Sequence, residues 1–405
     1  MNTDSVSEEE NNISSLTNND TGENITGVRS LMELIDIVTG RNLQNTQIQE
    51  DGGYADVIPF PFMAIVGQKE MKIALILSII NPLMGGVLLI GPRGTGKTIA
   101  VRSLIDLLPD VPRSLCFYGC LEEDIEKGGL DAVCPACAKK FAMGEPISVL
   151  DRVRLVELPL NAKIDDVIGG LDERATINDR LRLKRGILAQ ADRNILYVDE
   201  VNLLSDDVID AILDASAQGH YTVRRGPVSA TYRSRFVFVG SMNPEEGNLR
   251  PQIMDRFGLR VVMQGLKEPK ERLEAYRRVN LYLNNPYQVV NNFKDETRIA
   301  KEEIQLAREM LPKAILNDEI ANLGLKLISK LKIESLRAEI TLFEAAKAYA
   351  VADGRIEVTR NDLLRVAPLA LRLRRSSFIT DYLSQQNQEK EELDKILDEV
   401  IRHQE

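Results

Sequence analysis

The sequence predicts an α/β fold, a parallel sheet with both faces covered, followed by a smaller helical domain. Three observations predict it. Short continuous apolar runs recur at Gly86–Ile90, Val153–Leu158, Ile195–Val198 and Phe236–Val239, as expected of strands buried on both faces. Helical patterns fill the intervals, and strands alternating with helices make a parallel sheet. After about Glu268 the strand signals stop, and the remainder reads as helices interrupted at Glu357-Val358-Thr359.

Residues 1–57 read as an acidic, disordered tail and linker. Residues 1–27 are rich in Asn, Ser, Thr and Glu and cannot bury enough surface to offset ordering entropy. One short amphipathic helix fits residues 30–40. The folded body starts near Ile58-Pro59-Phe60. Lys69 to Ile80 predicts a helix with Met71, Ala74, Leu75 and Ser78 on one face, stopped by Asn81-Pro82. A second helix is predicted from Lys97 to Leu108, ending at Pro109. The α/β domain therefore spans residues 58–267, with an insertion at about 114–146, and the helical domain spans 268–380. Residues 381–405 form an acidic C-terminal helix or tail. No internal repeat is visible.

The net charge of -10 resides in the ends of the chain. Residues 1–27 hold six acids and no base, and residues 389–405 hold seven acids against three bases, which leaves the body neutral. A neutral body lacks the field of a nucleic-acid-binding domain. No apolar run is long enough to cross a bilayer and no signal-peptide pattern opens the chain, so a soluble, cytoplasmic protein is expected.

Gly91-Pro92-Arg93-Gly94-Thr95-Gly96-Lys97-Thr98 fits G-x-x-x-x-G-K-[ST] after a buried strand and at a helix start, where a phosphate-binding loop works. Successive backbone N–H groups and the helix N-terminus offer partial positive charge to phosphates. Gly94 and Gly96 permit close approach, Lys97 would reach the β- and γ-phosphates, and Thr98 would ligate Mg²⁺. The bland alternative is a chance glycine-rich turn. About a hundred residues later, Ile195–Val198 delivers Asp199 and Glu200 to a strand's C-terminal end. Asp199 would hold Mg²⁺, and Glu200 would orient and polarise an attacking water. That motif alone is weak; paired with the loop it is strong. Asn243, in Ser241-Met242-Asn243-Pro244, stands where it could bond the water or the γ-phosphate, although Asn-Pro also starts turns. ATP and Mg²⁺ are thus the expected ligands.

All four cysteines, Cys116, Cys120, Cys134 and Cys137, fall within 22 residues in the spacing C-x₃-C-x₁₃-C-x₂-C. Two close pairs across a short polar loop suit a four-thiolate Zn²⁺ site. A redox-active dithiol and four unrelated thiols are the alternatives. A long insertion between Lys97 and Asp199 needs its own anchor, which zinc would supply.

With these motifs in place the chain resembles the AAA+ ATPase (I) subunit of magnesium chelatase. The resemblance rests on Ala64–Gln68, Gly85–Leu88, Val156–Ala162, Leu196–Leu204, and above all Asn243–Gly247 continuing through Leu249–Gln252 to Asp255-Arg256-Phe257-Gly258. It runs from about Phe60 to Arg375. It implies an AAA+ P-loop core with a helical lid, ATP at the interfaces of a homo-oligomeric ring, commonly a hexamer, and D-type and H-type partner subunits. Arg256 would be the arginine finger reaching the neighbour's γ-phosphate, with Asp255 at the same interface, and Arg337 the sensor-2 arginine of the lid. Local salt bridging and simple exposure are their bland alternatives. Hairpins inserted in the core would correspond to His220–Tyr232, with a turn at Arg225-Gly226-Pro227, and to residues 164–188, with the charged run 179–185.

The implied activity is ATP-driven insertion of Mg²⁺ into protoporphyrin IX, a ligase reaction of (bacterio)chlorophyll biosynthesis, with the porphyrin held by another subunit. The cysteine cluster is not part of that family's shared ATPase motif and is the largest departure from it. A MoxR-like remodelling ATPase, or a cobalt-chelatase-type subunit acting on a metal-binding adhesion-type partner, is the second reading. A nucleotide-gated DNA-binding ring is the third, and the neutral body and missing helix-turn-helix signal count against it.

Overall fold

A computed structural model describes residues 58–374, apart from Phe117, residues 172–182 and Asn248. The chain divides into two units, Met1–Val57 and Ile58–Glu405, and every described residue belongs to the second. The readings for residues 1–57 and 381–405, and for most of the charged run 179–185, lie outside the described residues.

The strands, in chain order, are β1 (Val87–Ile90), β2 (Val111–Ser114), β3 (Ser148–Asp151), β4 (Leu155–Glu157), β5 (Ile195–Val198), β6 (His220–Arg225), β7 (Val228–Arg233), β8 (Val237–Met242) and β9 (Leu259–Val262). Five of them form one parallel sheet in the order β4-β5-β8-β1-β9. Every residue of β1, β5 and β8 is buried, which is why these strands read as unbroken apolar runs. Alternate residues feed opposite cores. Val87, Leu89, Ile195, Tyr197, Val239 and Val261 pack toward the helix Lys69–Ile80 and the C-terminal helices. Leu88, Ile90, Leu196, Val198 and Phe238 pack toward the helix Asp206–Gln218 on the other face.

The helix Lys69–Ile80 forms with the predicted bounds and ends at Asn81, whose Oδ1 accepts from Leu83 N at 3.2 Å. It buries more than the one predicted face, because Leu77, Ile79 and Ile80 are covered as well. It lies between the sheet and the helices Lys294–Met310 and Leu336–Ala352, so it is apolar nearly all round. The helix predicted over 97–108 is α-helical only through Ser103, then tightens into a 3₁₀ turn over Leu104–Leu107. Ser103 Oγ donates to Ile99 O at 2.7 Å, a back-bond that competes with the helical ladder. The strand predicted over 153–158 pairs only at Leu155–Glu157, as the edge of the sheet.

Three strands appear that the apolar pattern does not predict. β2 and β3 pair antiparallel at the base of the insertion, and β9 closes the far edge of the sheet. The predicted hairpin is present as β6–β7 in the register Arg225↔Val228. Its two-residue turn places Gly226 at φ +56°, a conformation that suits a tight hairpin.

Beyond β9 the described chain is helical, from Pro269–Asn284 to Arg360–Leu371. The interruption near Glu357 is one parallel bridge to Ile315, followed by a capping box at Thr359 and Asp362. Among the described residues no helix is long and apolar enough to cross a membrane.

The helical part is tied to the sheet by buried charge. Arg374 donates to Asp255 Oδ1 at 2.8 Å, to the carbonyls of Phe257 and Gly258 at 3.2 and 3.1 Å, and to Thr341 Oγ1 at 3.3 Å. Arg260, in the middle of β9, is fully buried and donates to Arg372 O at 2.9 Å. Burial, and next the charge of Arg374, pull its guanidinium down to about 9.

Gly258 ends the Asp255-Arg256-Phe257-Gly258 segment because nothing larger fits: a Cβ there would lie 1.8 Å from Met84 O. Backbone cannot move aside as a flexible side chain does. Gly258→Ala should therefore lower unfolding free energy by about 3 kcal/mol, read as a reduced urea midpoint with an unchanged slope. An unaltered midpoint would show that the Met84–Gly86 turn and the Asp255–Gly258 segment are not packed this closely.

Candidate functional site

Because the sheet is parallel, the C-terminal ends of β1, β8 and β5 lie side by side, and each carries one sequence motif. The glycine-rich loop leaves β1, Asn243 follows β8, and Asp199 and Glu200 follow β5.

The loop turns through Gly94 at φ +75° and Gly96 at φ +86°, left-handed conformations that favour glycine. No atom lies within 4 Å of where a Cβ would stand on either residue. These glycines therefore serve the path of the backbone and leave the front of the loop open. Gly91 is different: a Cβ there would meet Met263 O at 2.7 Å. The helix Lys97–Ser103 begins directly after Gly96, so its first N–H groups face the loop.

Lys97 is buried and its Nζ donates to the carbonyls of Gly91 and Pro92, at 2.6 and 2.9 Å. Burial pulls its ammonium below the ordinary lysine value, while the carboxylates of Asp199, Glu246 and Glu200 act in the opposite direction. Thr98 Oγ1 is 3.4 Å from Asp199 Oδ2. Asp199 Oδ1 accepts from Tyr197 OH at 2.9 Å and from Ser241 Oγ. A hydroxyl from the first turn of the helix Lys97–Ser103 and a carboxylate from the end of β5 thus converge, an oxygen set of the kind that Mg²⁺ prefers.

Glu200 sits in the left-handed region at φ +53°, a strained conformation for a side chain of its size. Its N–H donates to Ser241 Oγ at 3.2 Å, which fixes the turn against β8. Arg93 pairs with Glu200 Oε1 at 3.4 Å and with Glu246, and its own side chain is 74% exposed. Asn243 is buried, and its Oδ1 accepts from Glu245 N at 3.3 Å. The turn-starting use of Asn243 is therefore present, at a position on the strand end between the loop and Asp199.

Beside the loop opens a cavity of about 480 Å³, with walls that include Ile65, Val66, Gly96, Ile99, Leu266 and Val279. These groups fit MgATP: an open glycine loop, a buried lysine, a hydroxyl–carboxylate pair, and a largely apolar recess of suitable size alongside.

Two predicted residues stand apart from this cluster. Among the described residues Arg256 pairs with Asp214 at 2.9 Å and Asp210 at 3.1 Å, both on the helix Asp206–Gln218. Arg337 is 54% exposed, with Nη1 3.8 Å from Asp255 Oδ2. Asp255 also accepts from Ser335 Oγ at 2.7 Å and from Arg374. Tyr197, Ser241 and Glu246 contact the site without having been singled out in the sequence. Ser241 and Glu246 lie within quoted motifs, and Tyr197 reads locally as one more core residue.

The four cysteines come together as the spacing predicts, with all four Sγ atoms within 4.8 Å of one another. All are free thiols. Cys116 Sγ accepts from Cys120 N, and Cys120 Sγ from Cys134 N, each at 3.3 Å.

The sequence is similar to proteins of one family along most of its length. The family described as magnesium chelatase, subunit ChlI, matches residues 171–268, and the AAA lid domain matches residues 325–400. The magnesium-chelatase subunit ChlI homolog of Methanocaldococcus jannaschii is 43% identical over 343 residues, 84% of this chain and 91% of that protein. The magnesium-chelatase subunit ChlI of Nostoc sp. PCC 7120 is 39% identical over 319 residues, 78% of this chain and 84% of that protein. A chain from the complex of subunits BchI and BchD of magnesium chelatase is 37% identical, covering 79% of this chain and 97% of that one, with a TM-score of 0.45. Identity at this level over most of both sequences, on an α/β P-loop core with a helical lid, makes the chain a member of the ChlI family of magnesium-chelatase AAA+ subunits.

Proposed function

We propose that this chain is the ATP-hydrolysing motor subunit of a magnesium chelatase. It would act as a hexameric ring in the cytoplasm with D-type and H-type subunits, inserting Mg²⁺ into protoporphyrin IX for (bacterio)chlorophyll synthesis. The observation that carries the reading is the convergence of Lys97 and Thr98, Asn243, and Asp199 and Glu200 on three adjacent strand ends. The similarity to ChlI relatives supports the choice of client. In this reading residues 58–267 are the ATPase domain and 268–380 the lid.

The residues of the chain divide the work. The loop Gly91–Gly96 and the helix N-terminus cradle the phosphates. Lys97 exchanges two carbonyl partners for phosphate oxygens, and its buried setting strengthens that attraction. Thr98 and Asp199 hold Mg²⁺, which when bound neutralises phosphate charge. Tyr197 and Ser241 keep the Asp199 carboxylate oriented. Glu200 orients and polarises the attacking water once Arg93 lets go of it; that ion pair is solvent-exposed and weak. Asn243 keeps its side chain against the same water or the γ-phosphate. Arg256 leaves Asp210 and Asp214 to reach a neighbouring subunit's phosphate, and Arg337 serves the chain's own nucleotide from the lid. Both acids are about half exposed, so that exchange costs little.

Fluorescence-monitored Mg²⁺ insertion into protoporphyrin IX, with the two partner subunits present, tests the client directly. ATP-dependent insertion that requires this chain is expected. ATPase activity without insertion would instead favour the remodelling or cobalt-chelatase reading.

Glu200→Gln should still bind ATP but lose turnover by about 10²-fold or more; near-normal hydrolysis would remove Glu200 from its role. Arg256→Ala and Lys97→Ala subunits should each be nearly inactive alone. Mixed in one ring they should recover ATPase activity, since an intact finger then faces an intact loop. Absence of recovery in well-mixed rings would place Arg256 outside catalysis in trans.

A further inference from the structure

The excursion between β2 and β3 has too little apolar content to fold on its own. Its packed cluster is Cys120, Val133, Cys137 and Ile147, so half of its buried members are cysteines. The helix Glu122–Gly128 buries no residue, and the helix Pro135–Ala142 buries only Cys137. Leu115, Tyr118, Leu130, Phe141 and Met143 stay exposed. A lobe of this size normally needs a metal or disulfides in place of a core.

The thiols are arranged for a metal. A tetrahedral Zn–S distance of about 2.3 Å sets sulfur–sulfur edges near 3.8 Å, while the four Sγ atoms already lie within 4.8 Å of one another. Closing on an ion shortens the longest edge by about an ångström, within reach of side-chain rotation. Backbone N–H groups of Cys120 and Cys134 donate to Sγ atoms of the set, and Ser114 Oγ donates to Cys116 Sγ at 3.4 Å. Such bonds orient metal-bound thiolates and stabilise their charge. With four protein sulfurs no coordination position remains for substrate, so the centre is structural.

We propose that Cys116, Cys120, Cys134 and Cys137 bind one Zn²⁺, and that this zinc lobe braces the β6–β7 hairpin. On binding, each sulfur donates an electron pair to the metal and the thiol protons leave to solvent, giving a centre of charge -2. The brace consists of named contacts. Gly119 lies between Cys116 and Cys120, and its carbonyl accepts from Arg233 Nη1 at 3.4 Å at the end of β7. Arg233 also pairs with Asp124 at 2.5 Å, in the first turn of the helix that follows Cys120. Next to it, Glu123 pairs with Arg193 at 2.9 Å, just ahead of β5. The metal thereby fixes the loop and helix start that hold the hairpin.

Full-length protein purified under reducing conditions without chelator tests this by elemental analysis. One zinc per chain is expected, with all four thiols protected from a thiol reagent until the metal is stripped. Co²⁺ in its place should show the visible absorption of a tetrahedral thiolate site. Removing zinc should raise amide exchange across residues 115–147 and in β6–β7 and leave β1 and β5 protected. Cys137→Ser should lose the zinc; should that variant fail to fold, thiol protection in the wild-type chain still decides. Protein that takes up no Zn²⁺, freely reactive thiols, a cysteine disulfide, or zinc retained in full by folded Cys137→Ser would each overturn the site. Unchanged hairpin exchange after stripping would overturn the brace.

Discussion

One carboxylate, that of Asp255, joins the α/β core to the helical domain. Arg374 reaches it from beyond the last described helix, Ser335 from the start of Leu336–Ala352, and buried Arg260 approaches within 3.8 Å from β9. Two guanidinium groups are thus removed from water beside a single acid, which is a costly arrangement unless every donor finds a partner. Most do, because Arg374 also bonds four backbone carbonyls and a threonine. Breaking such a pair leaves an uncompensated buried charge, at a cost of about 3–5 kcal/mol. The lid is therefore attached by directional bonds as well as by the shared apolar core around Lys69–Ile80. Arg337, next to the same carboxylate, inherits its position from this joint.

Much of the fold was legible because burial on both faces writes itself into sequence as uninterrupted apolar runs. That signal found β1, β5 and β8, and the loop motif fixed their meaning. β9 escaped it because Leu259-Arg260-Val261-Val262 carries a charge at its centre, and an arginine is not read as buried unless its distant partners are known. β2 and β3 escaped because they are half exposed and exist to close an insertion. Arg374 is one of several arginines in Leu371–Arg375, and nothing local separates it from a solvated neighbour. Its partner lies 119 residues away. Ser103 ended a helix that periodicity alone would have continued.

The site divides in the same way. Residues that act through backbone geometry or motif spacing, from Gly91 to Thr98 and Asp199 to Glu200, stand together as the sequence reading requires. The supporting hydroxyls of Tyr197 and Ser241 were silent, since both occupy strand positions that look like ordinary core. The cysteine cluster was readable from spacing alone, because short intervals within each pair leave the chain few ways to keep the thiols apart. Arg256 is the reverse case. Among the described residues it pairs with Asp210 and Asp214, and the role proposed for it rests on its motif rather than on these contacts.

Gly91 packs against Met263 at the start of the glycine-rich loop. Met263 donates its N–H to Ile90 O at 2.7 Å, and its carbonyl fills the space a side chain at Gly91 would need. Met263 directly follows β9, and Arg256 stands just before that strand. The glycine-rich loop and Arg256 thus lie near opposite ends of one strand, itself paired with β1 along its length. In the proposed ring, the loop serves a subunit's own nucleotide and the arginine serves the next. A shift at Gly91 would press on the Met263 carbonyl and, through β9, on the segment that carries Arg256. One strand would then join the loop of a subunit's own site to the arginine that faces the next.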